Sequence, residues 1–168
     1  MTPYPVLFVC LGNICRSPLA EGIFRDMTIQ NGREHDYPTD SAGTGGWHIG
    51  YPPDARSVQV AREHGIDISD LRARRIEASD FDRFELILAM DRSNLRHLED
   101  MAPRQTAATL ALFSAYALGQ DIDIPDPYYG GIEGFRDVYS MLFSGCRSLV
   151  TKFEAERASW SGNTSSVR

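Results

Sequence analysis

Lysine is nearly absent from this 168-residue chain: Lys152 stands alone against sixteen arginines, an imbalance we ascribe to genomic base composition. Cysteine is scarce as well. Cys10, Cys15 and Cys146 are the only three, an odd and low number that argues against the disulfide framework of a small secreted domain. Long apolar runs are missing. No stretch approaches the roughly 20 residues of a membrane span, and the run from Val6 to Cys10 lacks both the basic flank and the length of a signal peptide. The expectation is a soluble protein of the reducing cytoplasm that uses no membrane. Basic charge does not dominate either. Seventeen basic against 23 acidic side chains leave a formal net charge of −6, which makes nucleic acid a poor partner. There is no internal repeat and no linker.

What remains is the balance of a globular domain, 42% hydrophobic and 24% charged, at a length that suits one domain. That domain is expected to span residues 1–158. A polar tail, 159–168, is expected to fray.

Val6-Leu-Phe-Val-Cys10 suits a strand buried on both faces. Ser17 and Pro18 are a good N-cap and first residue for a helix that ends near Asn31-Gly32. Thr39 to Gly43 reads as a second strand, and Asp54 caps a second helix that closes at Gly65. Phe84 to Met90 forms a third strand. Asp91 or Ser93 then caps a helix that stops before Pro103. Leu110 to Phe113 is a fourth strand candidate, ambiguous with helix because of its alanine. From Phe135 to Phe153 the apolar residues recur at helical spacing. Alternating strands and helices imply one α/β domain with a mostly parallel sheet. Ligands of such sheets bind beyond the carboxyl ends of the strands.

The segment in that place reads Cys10-Leu-Gly-Asn-Ile-Cys-Arg16-Ser-Pro18. Backbone N–H groups of a tight loop form an anion nest, and the helix that follows adds the positive end of its dipole. Gly12 permits backbone angles that other residues resist. Asn13 tolerates a left-handed conformation and can tie the loop through its side chain. Arg16 offers a planar fork for two phosphate oxygens. The same positive field stabilises a thiolate, so Cys10 reads as an ionised nucleophile beneath a bound phosphoryl group. Ser17 is placed to donate a hydrogen bond to it. Leu11, Gly12, Asn13, Ile14, Cys15 and Ser17 are expected to form the loop that binds the substrate. Cys15 is either a small packing residue or the partner of a reversible disulfide with oxidised Cys10. Cys146 falls on an apolar helical stripe and belongs to the core.

A thiolate nucleophile needs an acid for the departing oxygen. Among fourteen aspartates, Asp126 in Ile124-Pro-Asp-Pro-Tyr-Tyr-Gly-Gly131 stands out, stiffened by proline on both sides. Pro-Asp-Pro is also common turn chemistry, so on these residues alone both readings stay open. Tyr128 and Tyr129 give aromatic surface beside the carboxyl group. Trp47 either walls the same cleft or anchors its own loop.

Taken together, Val9-Cys-Leu-Gly-Asn-Ile-Cys-Arg-Ser-Pro18 and Asp126-Pro-Tyr-Tyr-Gly130 resemble the low-molecular-weight protein tyrosine phosphatases. Ser41-Ala-Gly-Thr44 and Ala89-Met-Asp-Arg-Ser-Asn94 are similar to family segments too, and the likeness extends from about Pro5 to about Phe153. The resemblance implies a four-stranded parallel sheet flanked by helices, with no metal and no cofactor. It implies that Cys10 is the nucleophile, Arg16 the phosphate binder, and Asp126 the general acid and then base. Asn13, Ser17 and Ser41 would hold the loop. The substrates would be tyrosine-phosphorylated proteins and a product would be inorganic phosphate.

Three rivals share the scaffold. A thioredoxin-coupled arsenate reductase would need further cysteines after the third strand, and Asp80 to Ser93 has none. A protein arginine phosphatase resembles this chain but carries Thr where Ile14 stands, and the bulkier Ile favours a flat phenyl ring. A non-catalytic phosphoprotein-binding module would not need both Cys10 and Asp126.

Overall fold

The computed structural model describes residues 2–163. The chain runs β1 (Val6–Cys10), α1 (Arg16–Gln30), β2 (Thr39–Gly43), α2 (Ala55–Glu63), α3 (Asp80–Arg83), β3 (Leu86–Ala89), α4 (Arg92–Met101), β4 (Thr109–Leu112), α5 (Phe113–Leu118) and α6 (Ile132–Asn163). All four strands pair in parallel, in the order β2-β1-β3-β4. This is the expected α/β sheet.

β1 has no polar residue because both of its faces are buried. Side chains alternate across a strand. Val6, Phe8 and Cys10 therefore enter one apolar cluster with Leu19, Ile23 and Phe24 of α1 and Phe135, Leu142 and Leu149 of α6. Leu7 and Val9 enter a second cluster with Phe81, Ile87 and Leu98. Phe8 meets Phe24 and Phe113 edge to face, with ring centroids 5.7 and 6.1 Å apart. Full burial of such a side chain contributes about 1.5–3 kcal/mol. The strand is thus pinned from both sides, and Cys10 at its end cannot drift.

Parallel pairing gathers the carboxyl ends of the strands at one edge. Cys10 is level with Gly43 of β2, and Val9 with Ala89 of β3. β2 lies on one side of β1 and β3 on the other, so the connections diverge at this edge and open a crevice there.

Several boundaries differ from expectation. α1 begins at Arg16 with Cys15 as its N-cap residue, and no side chain caps it. Ser17 lies inside the first turn because its hydroxyl is engaged by the loop in front. Pro18 is still within that turn, where a missing N–H costs no helical hydrogen bond. Asp54 caps α2 as expected, accepting from Arg56 N at 2.9 Å, and Asp91 rather than Ser93 caps α4. Two short helices, α3 and α5, were not anticipated. The alanine-rich stretch divides, with strand through Leu112 and helix from Phe113 to a left-handed Gly119.

α6 starts at Ile132 and continues five residues beyond the expected boundary at Ala158. Extending a formed helix adds one bond per residue. Ser159 and Ser161 turn their hydroxyls onto the Glu156 and Arg157 carbonyls of the same helix. The rest of the expected tail, 164–168, lies outside the described residues. Among the described residues no helix is long and apolar enough to cross a membrane.

Candidate active site

The loop after β1 folds over the end of β2. A Cβ on Gly43 would lie 2.8 Å from Leu11 O and 3.1 Å from Asn13 N, so only glycine lets the loop pass this closely. Thr44 N and Gly45 N donate to Cys10 O and Leu11 O at 2.9 and 2.8 Å, binding the two segments together. Asn13 has φ 56°, and among the described residues it is the only non-glycine with positive φ. Asparagine is a residue that tolerates this conformation. Sequence reasoning assigned unusual backbone angles to Gly12, which does not have a positive φ. The need for glycine at position 12 is spatial: a Cβ there would meet the His48 ring at 3.1 Å.

The Asn13 side chain organises what lies behind the loop. Its amide nitrogen donates to Ser17 Oγ at 2.8 Å and to Ser41 Oγ at 2.9 Å, and its oxygen accepts from Arg74 N at 2.9 Å. Three partners fix which end of the amide points where. Ser17 Oγ lies 3.0 Å from Cys10 Sγ. Because Asn13 donates into Ser17 Oγ, the serine proton is directed elsewhere. Cys10 Sγ is nearer than the alternative, Ala42 O at 3.4 Å. Ser41 in turn donates to Glu21 Oε2 at 2.7 Å, and Arg25 bonds the other oxygen of Glu21. Burial pushes the Glu21 carboxyl above the usual range, against the pull of Arg25 and Ser41. Arg74 is itself held by Asp80, whose two oxygens take its guanidinium at 2.9 and 3.0 Å.

Arg16 is buried at the start of α1. Its Nη1 donates to Asp91 Oδ2 at 2.8 Å and to Ile124 O at 2.9 Å. Its Nη2 lies 3.7 Å from Asp126 Oδ2. Burial disfavours its charge. Cys10, Asp91 and Asp126 outweigh that and hold the guanidinium more firmly protonated than usual. Asp91 does two jobs with two oxygens, since Oδ1 accepts from Asn94 N at 2.8 Å and caps α4.

Asp126 lies on the segment between α5 and α6, with its side chain 39% exposed. Its Oδ1 accepts from Tyr128 N at 3.1 Å, the turn chemistry the proline pair suggests. Arg56 fastens this segment to α2. It donates to Gly130 O at 2.8 Å and Tyr128 O at 3.0 Å, and grips both oxygens of Asp54 at 3.0 and 2.9 Å. Its guanidinium also lies over the Phe135 ring, 4.3 Å from the centroid. The Arg56 hydrogen bonds hold the Asp54 carboxyl below the usual range. The clamp is therefore fully formed at neutral pH and loosens only as pH falls through that lowered value.

Cys10, Arg16, Asp126, Trp47, Tyr128 and Tyr129 border one cleft of about 370 Å³, together with Leu11, Gly12, Ile14 and Cys15 of the loop. Asn13 and Ser17, expected to bind substrate, do not border the cleft: with Ser41 they are buried behind its wall, their side chains taken up by the hydrogen bonds that hold the loop. Trp47 is largely exposed and packs over Gly45, where a Cβ would collide with its ring. Cys15 is buried, and burial, then the charges of Asp54, Cys10 and Asp126, push its thiol up. Cys146 is fully buried in the core cluster and 3.8 Å from Ala20 O, as expected.

Sequence reasoning passed over His48, which borders the cleft, and Glu21, Asp91, Arg56 and Arg74, which support it. Only Asp91 carried a signal, since it follows the strand that pairs with β1.

The sequence model of the family described as low molecular weight phosphotyrosine protein phosphatase matches residues 5–159. The low molecular weight protein-tyrosine-phosphatase YfkJ of Bacillus subtilis is 42% identical over 153 residues, covering 90% of this chain and 97% of that protein. The crystal structure of a protein tyrosine phosphatase from Entamoeba histolytica, with Hepes in its active site, superposes with a TM-score of 0.85. It is 36% identical and covers 92% of this chain and 99% of its own. A Drosophila arginine phosphatase superposes with a TM-score of 0.82 at 36% identity, covering 88% of this chain and 96% of its own.

Proposed function

The chain belongs to the low molecular weight phosphotyrosine protein phosphatase family and is a protein tyrosine phosphatase, a phosphoric monoester hydrolase; we propose that Cys10, Arg16 and Asp126 carry its reaction. The Cys10 thiolate attacks phosphorus in line with the aryl oxygen. As the P–O bond breaks, the Asp126 carboxylic acid gives its proton to the departing phenolate. The cysteinyl phosphate left behind is attacked by water, whose proton goes to the Asp126 carboxylate, and inorganic phosphate leaves as the thiolate is restored. Arg16, pre-aimed by Asp91 and the Ile124 carbonyl, holds the equatorial oxygens together with the loop amides. The Ser17 proton stabilises the sulfur both as thiolate and as leaving group. One observation carries this reading: a sulfur 3.0 Å from the Ser17 hydroxyl borders the same cleft as a buried arginine and an exposed carboxyl group.

The substrates are phosphotyrosine proteins. Ile14, Trp47, Tyr128 and Tyr129 suit a flat ring, so a phosphotyrosine peptide should be turned over at least about tenfold faster than the same peptide bearing phosphoarginine. Phosphate release from the two, measured side by side, is the test. Equal or faster release from phosphoarginine would remove the preference for tyrosine and place the chain with the arginine phosphatases.

Cys15 serves as the redox partner of Cys10 in this reading. Once peroxide has oxidised Cys10 to a sulfenic acid, Cys15 gives up its proton and its sulfur attacks Cys10 Sγ; that proton and the sulfenic hydroxyl leave as water, and the disulfide formed is reducible by a thiol. After brief peroxide treatment, dithiothreitol should restore the wild type but only a minor fraction of Cys15→Ala activity. Equal recovery would leave Cys15 as packing alone. The three free cysteines support a cytoplasmic setting.

A further inference from the structure

A second groove, of about 600 Å³, shares Leu11 and Trp47 with the catalytic cleft and opens beside it. Its apolar side is formed by those two residues and Ile49, all exposed. Its polar side carries Arg75 and His97, and none of its lining residues is acidic. In a chain with six more acidic than basic residues, that is a local reversal of charge.

Arg75 is the distinctive member. Its neighbour Arg74 is saturated by Asp40 and Asp80. Arg75 itself has no ion pair and donates no side-chain hydrogen bond among the described residues. Its position is nevertheless defined. Gly43 and Arg75 form a parallel bridge, with Ile76 N donating to Gly43 O at 2.8 Å, so the backbone at position 75 is tied to the end of β2. The stem runs past Gly46, where a Cβ would meet Arg75 Cδ at 3.6 Å. A guanidinium carried on an anchored backbone and left without a carboxylate is available to one from outside.

We propose that this groove is a substrate subsite that takes an acidic residue next to the phosphotyrosine, with Arg75 holding its carboxylate. The proposal rests on the phosphotyrosine reading above and adds to it a preference for sequence around the phosphorylated residue. With the phosphoryl group in the catalytic cleft, a peptide continuing over Leu11 and Trp47 enters the groove. Successive residues of an extended chain advance about 3.3–3.6 Å, so the residues that flank the phosphotyrosine are the ones that meet a groove adjoining the cleft. The stem of a glutamate would lie on Trp47 and Ile49, with its carboxylate towards Arg75.

The test uses phosphotyrosine peptides that differ only in the two residues before or the two after the phosphotyrosine, set as Glu, Ala or Lys. For the wild type, kcat/KM should favour Glu over Ala about threefold on one side, the scale of an exposed ion pair. The gain should lie in KM, with kcat unchanged. The Glu-to-Ala ratio should fall to about one in Arg75→Ala, and Arg75→Glu should favour the Lys peptide. No preference on either side in the wild type, or a preference that survives Arg75→Ala, overturns the subsite. Turnover of the Ala peptide by the wild type checks the phosphatase reading separately, and its absence would remove that reading and the subsite with it.

Discussion

Replacing Cys10 by serine should lower turnover of an aryl phosphate by about four to six orders of magnitude while leaving phosphate binding nearly intact. A serine hydroxyl does not ionise at neutral pH, so the variant offers a neutral oxygen in place of the sulfur nucleophile. The surroundings suit an anion: Ser17 Oγ lies 3.0 Å from the sulfur and a buried Arg16 stands close by. None of these groups depends on the identity of the atom at Cys10. The loop is held by Asn13, Ser41 and Gly43, so the variant keeps its anion nest. Steady-state turnover of p-nitrophenyl phosphate, with calorimetric titration of inorganic phosphate, measures both halves of the expectation. Near-wild-type turnover in Cys10→Ser would sink the covalent mechanism.

Asp126→Ala should give a slower enzyme whose deficit depends on the leaving group. General acid catalysis contributes about 10²–10⁴-fold. Its loss should be felt in full with phenyl phosphate and far less with 2,4-dinitrophenyl phosphate, whose phenolate departs without a proton. Arg56→Ala should show a weaker form of the same signature, about tenfold with phenyl phosphate. Arg56 does not border the cleft, but it holds the carbonyls of Tyr128 and Gly130 and so sets where Asp126 stands. A misplacement of about 1 Å can cost 10²-fold. Equal losses with both leaving groups would mean that Asp126 binds substrate rather than protonating it, and that Arg56 only stabilises the fold.

The parts of this site that were readable from sequence are those set by neighbours in the chain. The apolar Val6–Cys10 run, the loop that follows it and the left-handed Asn13 depend on local sterics and short-range patterning. Asp126 was readable because its prolines frame it. Gly12 was assigned a dihedral role when its constraint comes from His48, 36 residues further on. Ser17 read as a helix cap because capping is its common local use, whereas in the fold Asn13 and Cys10 claim its hydroxyl. Glu21, Asp91 and Arg74 act on residues 20, 75 and 61 positions away. No periodicity encodes such separations. The fold's outline follows from alternation of strand and helix, but α3 and α5 are too short to leave a helical period behind.

The Arg16 contacts have a consequence for the birth of the molecule. Cys10 and Arg16 leave the ribosome early, while Asp91, Ile124 and Asp126 follow up to 116 residues behind Cys10. At about 5–20 residues per second, the nucleophile emerges about 6–23 s before its acid. During that interval the N-terminal segment has its sulfur and its guanidinium but nothing to aim them. Full phosphatase activity is therefore expected only once translation has delivered the far end of the domain.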